Sequence, residues 1–307
     1  GMHYASKVYL FLLFFFYGAK LAPRETLLGL KNWRLHAVIF CFTFILFPII
    51  GVGLKYATIG WLGQGLALGL LYLTLVPGTV QSSIAFTSVA HGNVAGAIVA
   101  SSLSNILGVF LTPLLVMLTM ATTGDVHITG RSILDIFLQI LLPFIIGQLL
   151  HKYLGPGLNR HPILTKTVDR GTIWINVYTA FSQAVVEGVW MRVTALHLLA
   201  LVGICIAVVS LVLVLSWCMA KGLGFNREDC IAAQFCGSKK SLSSGIAMGA
   251  VLFAGSTGEL SAGILMLPLM LFHLFQLLIC AVLAGRYGRQ WEREHTHAHA
   301  NDQGAAQ

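Results

Sequence analysis

Val76-Pro77-Gly78-Thr79-Val80-Gln81-Ser82-Ser83 sits at the centre of an apolar run, 60–91. That run, about 30 residues, would form a helix of roughly 45 Å, too long for a straight crossing of a bilayer. Proline removes a helix donor and glycine frees the backbone, so the stretch predicts one helix broken in two. A second interruption, Cys236-Gly237-Ser238-Lys239-Lys240-Ser241, lies centrally in the run 228–255. Two ammonium groups at that depth cannot face lipid cheaply. Non-helical backbone there is tolerated only where protein or water surrounds it.

The rest of the chain has membrane composition. Of 307 residues, 57% are hydrophobic and 10% charged, against roughly 25% charged in soluble domains. No Lys or Arg falls between Lys55 and Arg131, and no charged side chain between Val193 and Ala220. Nine spans are predicted, near 4–20, 35–54, 60–91, 93–120, 132–154, 170–187, 195–221, 228–255 and 260–285. The net charge of +8 is carried by short basic clusters between the spans. Lipid headgroups and topology explain such clusters, so nucleic acid is excluded as a partner. Gly1-Met2-His3 is not a charged leader, so no cleavable signal peptide is expected, and the glycine before Met2 is left out of the fold reading. The six cysteines form no CxxC pair, and neither a disulfide nor a metal cluster is expected.

With the N-terminus outside, 13 of the 19 basic residues fall in inside segments, four outside, and the remaining two are the midplane pair. The inside set includes Lys152, Arg160, Lys166 and Arg170. The positive-inside rule then puts the C-terminus, with its tail 286–307, in the cytoplasm. The two broken spans run in opposite directions, as in an inverted repeat. Gln81 precedes Pro113, and Cys236 precedes Pro268, by the same 32 residues. The chain is therefore read as one transmembrane domain, 1–307, with repeats 1–120 and 132–285.

The first break offers Thr79, Gln81, Ser82 and Ser83, and the next helix offers Ser101 and Asn105 on one face. Hydroxyl and amide oxygens beside unwound carbonyls suit a monovalent cation or a polar substrate. The same residues also serve as glue between membrane helices. The second break adds Gly237, Ser238, Lys239, Lys240 and Ser241. A lysine there could hold an anion, stand in for a bound cation or, because burial disfavours its charged form, carry a proton. His273 shares a face of the last helix with Gln276, where packing and site roles are both open. Glu187 and Glu259 read as interfacial, and His295, His297 and His299 as a solvated tail. A Ser238–Lys239 dyad is disfavoured because neighbouring helical side chains diverge. No HExxH or GxSxG occurs, so neither an enzyme nor a catalytic metal is expected.

Gly108-Val109-Phe110-Leu111-Thr112-Pro113-Leu114-Leu115 resembles the fifth-helix signature of the bile acid:sodium symporter family. Phe235-Cys236-Gly237-Ser238-Lys239-Lys240-Ser241-Leu242 resembles its divergent branch of sodium/bile acid cotransporter 7-like and bacterial YfeH-like proteins. So do Trp33-Arg34-Leu35-His36, Gln81-Ser82-Ser83-Ile84-Ala85-Phe86 and Leu267-Pro268-Leu269-Met270-Leu271-Phe272-His273. The resemblance implies an all-α, ten-helix inverted-repeat transporter with panel and core domains and two crossing broken helices. It starts at the family's second helix, so about nine helices are expected here. It makes Ser101 and Asn105 similar to the fifth-helix sodium ligands and puts Ser82 and Ser83 near the fourth-helix ones. Sodium-coupled relatives place an acid where this chain has Phe235 and a glutamine where it has Lys239. The implied function is a secondary carrier of an organic anion or related solute in a bacterial inner membrane. It needs no cofactor beyond a coupling Na+ or H+, with Na+ disfavoured. The alternative is a membrane regulator or receptor that keeps the fold without transporting.

Overall fold

The computed structural model describes residues 2–20, 32–121, 134, 137–160, 162–186, 193–254, 256 and 260–305. Among the described residues every regular element is helical. Helix α1 is Met2–Lys20, and α2 is Trp33–Leu62 with a π-helical turn at Phe42–Leu46. The first broken span gives α3 (Gln64–Leu75) and α4 (Gln81–Val89). Helix α5 is Val94–Val116, followed by a π turn at Met117–Ala121. Then come α6 (Phe137–Leu149), α7 (His151–Arg160), α8 (Pro162–Val186) and α9 (Ala195–Gly222). The second broken span gives α10 (Arg227–Gly237) and α11 (Leu242–Leu252), and α12 is Ala262–Ala305.

Among the described residues, four helices are long and apolar enough to cross a membrane: Trp33–Leu62, Val94–Met120, Ala195–Gly222 and Ala262–Glu294. Their outward faces expose large apolar side chains, among them Val214 on α9 and Leu274, Leu278 and Val282 on α12. Exposed apolar side chains along helices of this length fit a lipid surround. The described residues form a multi-pass, all-α membrane protein.

Two groups of helices pack together. Helix α1 lies against α6, α7 and α8, while α2 to α5 pack with α9 to α12. Helix α8 joins the groups by touching α11 and α12. In lipid there is little hydrophobic drive between helices, so close backbone approach matters. A Cβ at Gly18 would collide with the Phe144 carbonyl, and one at Gly147 with the Phe15 carbonyl. Within the second group, Gly108 leaves the space on α5 into which Pro77 of the first break fits. Helix α3 is buried at every position from Gly65 to Leu75.

Polar ends are tied by side chains. Asn93 Oδ1 accepts the Gly96 N–H at 2.8 Å and Asn226 Oδ1 the Asp229 N–H at 2.7 Å, capping α5 and α10. The Asp229 carboxylate accepts from Asn93 Nδ2 at 2.6 Å and Asn32 Nδ2 at 3.0 Å, holding α2, α5 and α10 together. The last helix differs from the expected span 260–285. It runs on to Ala305, with Gln290 donating to Glu294 one turn on at 2.9 Å. Glu187 and Glu259 lie outside the described residues.

Replacing Gly147 by leucine is expected to push α6 off α1 and cost about 1–3 kcal/mol. Thermal unfolding of the purified protein in detergent checks this as a lowered Tm.

Candidate functional site

The two broken spans cross at their breaks. The Ser241 N–H donates to the Pro77 carbonyl at 2.8 Å, and Ser83 Oγ to the Phe235 carbonyl at 3.2 Å. Breaking a helix strands carbonyls at its C-terminal end, and in a membrane interior each must find a donor. Here they all do. The Thr74 and Val76 carbonyls accept from Lys240 Nζ at 2.7 and 2.9 Å. The Leu75 carbonyl accepts from Thr112 Oγ1 at 2.8 Å and the Gly78 carbonyl from Asn105 Nδ2 at 3.0 Å. With Pro77, five consecutive carbonyls are satisfied by four residues from two other segments, the second break and α5.

Lys240 does more than cap α3. Its third donor goes to the Thr43 carbonyl at 2.9 Å, inside the π turn of α2. The wider turn frees a carbonyl that an α-helix would keep for itself. The ammonium also lies over the Phe47 ring, 4.2 Å from its centroid. Lys240 is fully buried, with all three N–H donors on backbone oxygens. Its own peptide is clasped by one side chain: Gln276 Oε1 accepts the Lys240 N–H and Gln276 Nε2 donates to the Lys240 carbonyl, both at 2.8 Å. Gln276 Nε2 also donates to His273 Nδ1 at 2.7 Å.

Lys239 takes another direction, because the backbone at 238–241 is not helical. It is also fully buried, and its Nζ donates to the Ser82 carbonyl at 2.8 Å. It lies 3.9 Å from the Phe86 ring centroid and 5.2 Å from that of Phe235. The sequence suggests Ser82, Ser83, Ser101 and Asn105 as oxygen ligands for such a midplane ammonium, and of these only Ser82, through its carbonyl, accepts from it. The Ser101 hydroxyl points to Cys236 Sγ at 3.6 Å. Asn105 also donates weakly to the Ser101 carbonyl at 3.4 Å, and its Oδ1 accepts from Ser244 Oγ at 3.0 Å. Thr79 Oγ1 lies 2.6 Å from Ser82 Oγ and 3.3 Å from Ser83 Oγ.

Beside the crossing is a cavity of about 570 Å³. The twelve residues picked out in the sequence divide evenly around it. Thr79, Gln81, Ser82, Asn105, Ser241 and His273 line it. Ser83, Ser101, Gly237, Ser238, Lys239 and Lys240 are buried without lining it, with Gly237 packed against Phe42. Ser238 Oγ is buried without a hydrogen-bond partner. Helix α4 starts at Gln81 and α11 at Leu242, both on the cavity wall, and α4 has no side-chain cap. The opposite wall comes from α1, α6 and α8, with Tyr17, Phe144, Arg170 and Ile173. Tyr17 Oη and Ser243 Oγ are 3.3 Å apart, joining the two helix groups across it. Among the described residues that line it there is no aspartate or glutamate.

Sequence reasoning did not single out Thr43, Thr74, Thr112, Tyr17 or Arg170. Thr43 and Thr74 contribute backbone oxygen, which has no residue signature. Thr112 was visible only as part of the Thr112-Pro113 motif.

Residues 1–289 match the model of the SBF-like CPA transporter family. An uncharacterized protein of Pseudomonas aeruginosa is 48% identical over 91% of this chain and 83% of its own. The Escherichia coli protein YfeH, whose name proposes a symporter, is 45% identical over 92% of this chain and 83% of its own. Sodium/bile acid cotransporter 7 of Xenopus tropicalis is 28% identical over 88% of this chain and 78% of its own.

Replacing Lys240 by methionine strands three carbonyls, each costing about 1–3 kcal/mol when left unpaired. Lys239→Met strands one. Melting of both variants as fluorescent fusions in detergent should show the larger fall for Lys240→Met.

Proposed function

The chain belongs to the SBF-like CPA transporter family, and on that premise we propose that it is a secondary carrier of an organic anion. It works without a sodium ion at the Lys239 position. One observation carries the reading: the cavity at the crossing is lined by the guanidinium of Arg170 and by two half-helix N-termini, with no carboxylate among the described lining residues. Helix N-termini carry partial positive charge and open N–H groups, and broken helices in transporters aim them at anionic groups. Lys239 lies one carbonyl behind that surface, on Ser82.

In this reading the two lysines are built-in cations. A fixed ammonium does not travel with the solute, so Lys239 takes the part that a sodium ion has in sodium-coupled relatives. A proton is then the coupling ion. The ten-helix inverted repeat accompanies this proposal, supported by the two breaks and by the matched prolines Pro113 and Pro268. Alternating access moves α1, α6, α7 and α8 against the rest, and the Tyr17–Ser243 contact has to open.

The test is counterflow and uptake of organic anions in proteoliposomes. Uptake is expected to be unchanged when choline replaces sodium and to fall when a protonophore collapses the proton gradient. Strict sodium dependence overturns the lysine substitution, and absence of counterflow favours a receptor or regulator on the same fold. Lys239→Gln is expected to lose transport without gaining sodium dependence, whereas Lys239→Gln with Phe235→Glu gains it.

We further propose that the protein lies in the bacterial plasma membrane with its C-terminus in the cytoplasm. A C-terminal green fluorescent protein fusion is then expected to fluoresce and an alkaline phosphatase fusion to be inactive; the reverse pattern contradicts the orientation.

A further inference from the structure

Past Arg286, helix α12 packs back onto the helices that hold Lys239. Tyr287, Gly288 and Trp291 share one face of it. Gly288 lies against the last turn of α4, where a Cβ would come within 2.6 Å of the Val89 carbonyl oxygen. The Trp291 ring stacks flat on the His91 ring, with centroids 3.9 Å apart and an interplanar angle of 11°. Tyr287 turns to α10 instead. Its ring meets the Phe235 ring edge to face at 6.4 Å, and its carbonyl accepts from the Arg227 guanidinium at 3.0 Å. Trp217 of α9 stacks on the same Tyr287 ring at 5.4 Å.

His91 follows the end of α4 with a φ of 54°, in the left-handed region. A residue with a Cβ is strained there, and glycine is the one that fits. This strained place holds a histidine, and its ring is the one that Trp291 covers. Helix α4 is only nine residues long and has no side-chain cap at its start. In a close-packed interior a rod so short passes a shift at one end on to the other. Ser82 and Phe86 are four residues apart on it and both face Lys239. The Ser82 carbonyl accepts from Lys239 Nζ at 2.8 Å, and the Phe86 ring centroid is 3.9 Å from that atom. Phe235, 5.2 Å from the ammonium, lies 6.0 Å from Phe86. The carbonyl and both rings around Lys239 therefore belong to α4 and α10, the two helices that 287–291 grip.

We propose that Gly288 and Trp291 are positioning residues for Lys239. Their hold on the end of α4 sets where the Ser82 carbonyl and the Phe86 ring lie, and so how the ammonium is bound, although neither residue touches it. The proposal goes beyond the carrier reading and rests on it only for the use made of Lys239, in coupling. It makes this stretch of α12 part of the site's framework.

The experiment is NMR of the full chain in phosphatidylcholine nanodiscs, with lysine labelled by carbon-13 at Cε. The signal missing in Lys239→Gln belongs to Lys239. Aromatic faces displace nearby proton signals steeply with distance, so this signal is expected to stand apart from those of exposed lysines. His91→Gly removes the stack and suits the left-handed backbone, so it is expected to keep the wild-type Tm. It should nevertheless move the Lys239 signal toward the exposed lysines and leave the remaining lysine signals in place. Trp291→Ala should move it the same way, and Trp291→Phe, which keeps a ring over His91, should restore it. A Lys239 signal unmoved in both His91→Gly and Trp291→Ala overturns the proposal. So does a shift of all lysine signals together, which reports a loosened fold instead of a specific hold on Lys239. Uptake is read separately: absence of proton-driven uptake by wild type in proteoliposomes overturns the carrier reading and leaves the NMR result standing.

Discussion

A helix broken inside a membrane leaves carbonyls where no water reaches them, and the rest of this structure follows from how they are satisfied. The ammonium of Lys240 takes three of these oxygens, two from the end of α3 and one from the π turn of α2. The C-terminal end of a half-helix carries partial negative charge, so a cation is the donor that fits it best. A neutral donor could satisfy one carbonyl but could not offset the dipole or bridge two helices. The lysine in turn is tolerable at that depth only because all of its donors are used. The two features need each other: the break requires a buried cation, and the buried cation requires a break.

Its neighbour obeys a different balance. Lys239 has one carbonyl and two aromatic faces. A cation–π contact is worth about 2 kcal/mol when desolvated, less than a set of charge-assisted hydrogen bonds. Of the two ammonium groups, Lys239 is thus the less firmly held, and it is also the one bonded to a residue on the cavity wall. In the proposed carrier a role in coupling falls to Lys239, while the hydrogen bonds of Lys240 hold the crossing together.

Much of the fold was legible because it rests on strong local signals. Pro77-Gly78 cannot continue a helix, and Lys239-Lys240 cannot face lipid, so both breaks could be placed from residues alone. Gly108, which admits Pro77, and Thr112, which caps Leu75, sit inside the motif that carried the family resemblance. What was not legible depends on backbone atoms and on approach across the chain. The Thr43 carbonyl becomes available through a π turn with no residue signature. Adjacent lysines were read as a pair, yet the non-helical backbone at 238–241 turns them to separate partners. Arg170 was counted as one positive charge among several in an inside segment, because only packing of α8 beside the crossing makes it a cavity residue.

The engagement of the oxygens at the crossing supports the proposal that the carrier does without sodium. A monovalent cation needs several oxygens free to turn toward it. Ser83 donates to Phe235, Ser101 turns to Cys236, and Asn105 is engaged at both ends of its amide. Each of these contacts ties one broken span to the other or to α5, so freeing the oxygens would loosen the crossing itself. Among the described residues no carboxylate lines the cavity to compensate an incoming cation, and the ammonium of Lys239, one carbonyl behind its wall, repels one. An anion meets the opposite situation, with open N–H groups at the start of α4 and a guanidinium across the cavity. The same lysines that make the crossing stable therefore bias the space beside it toward negative charge.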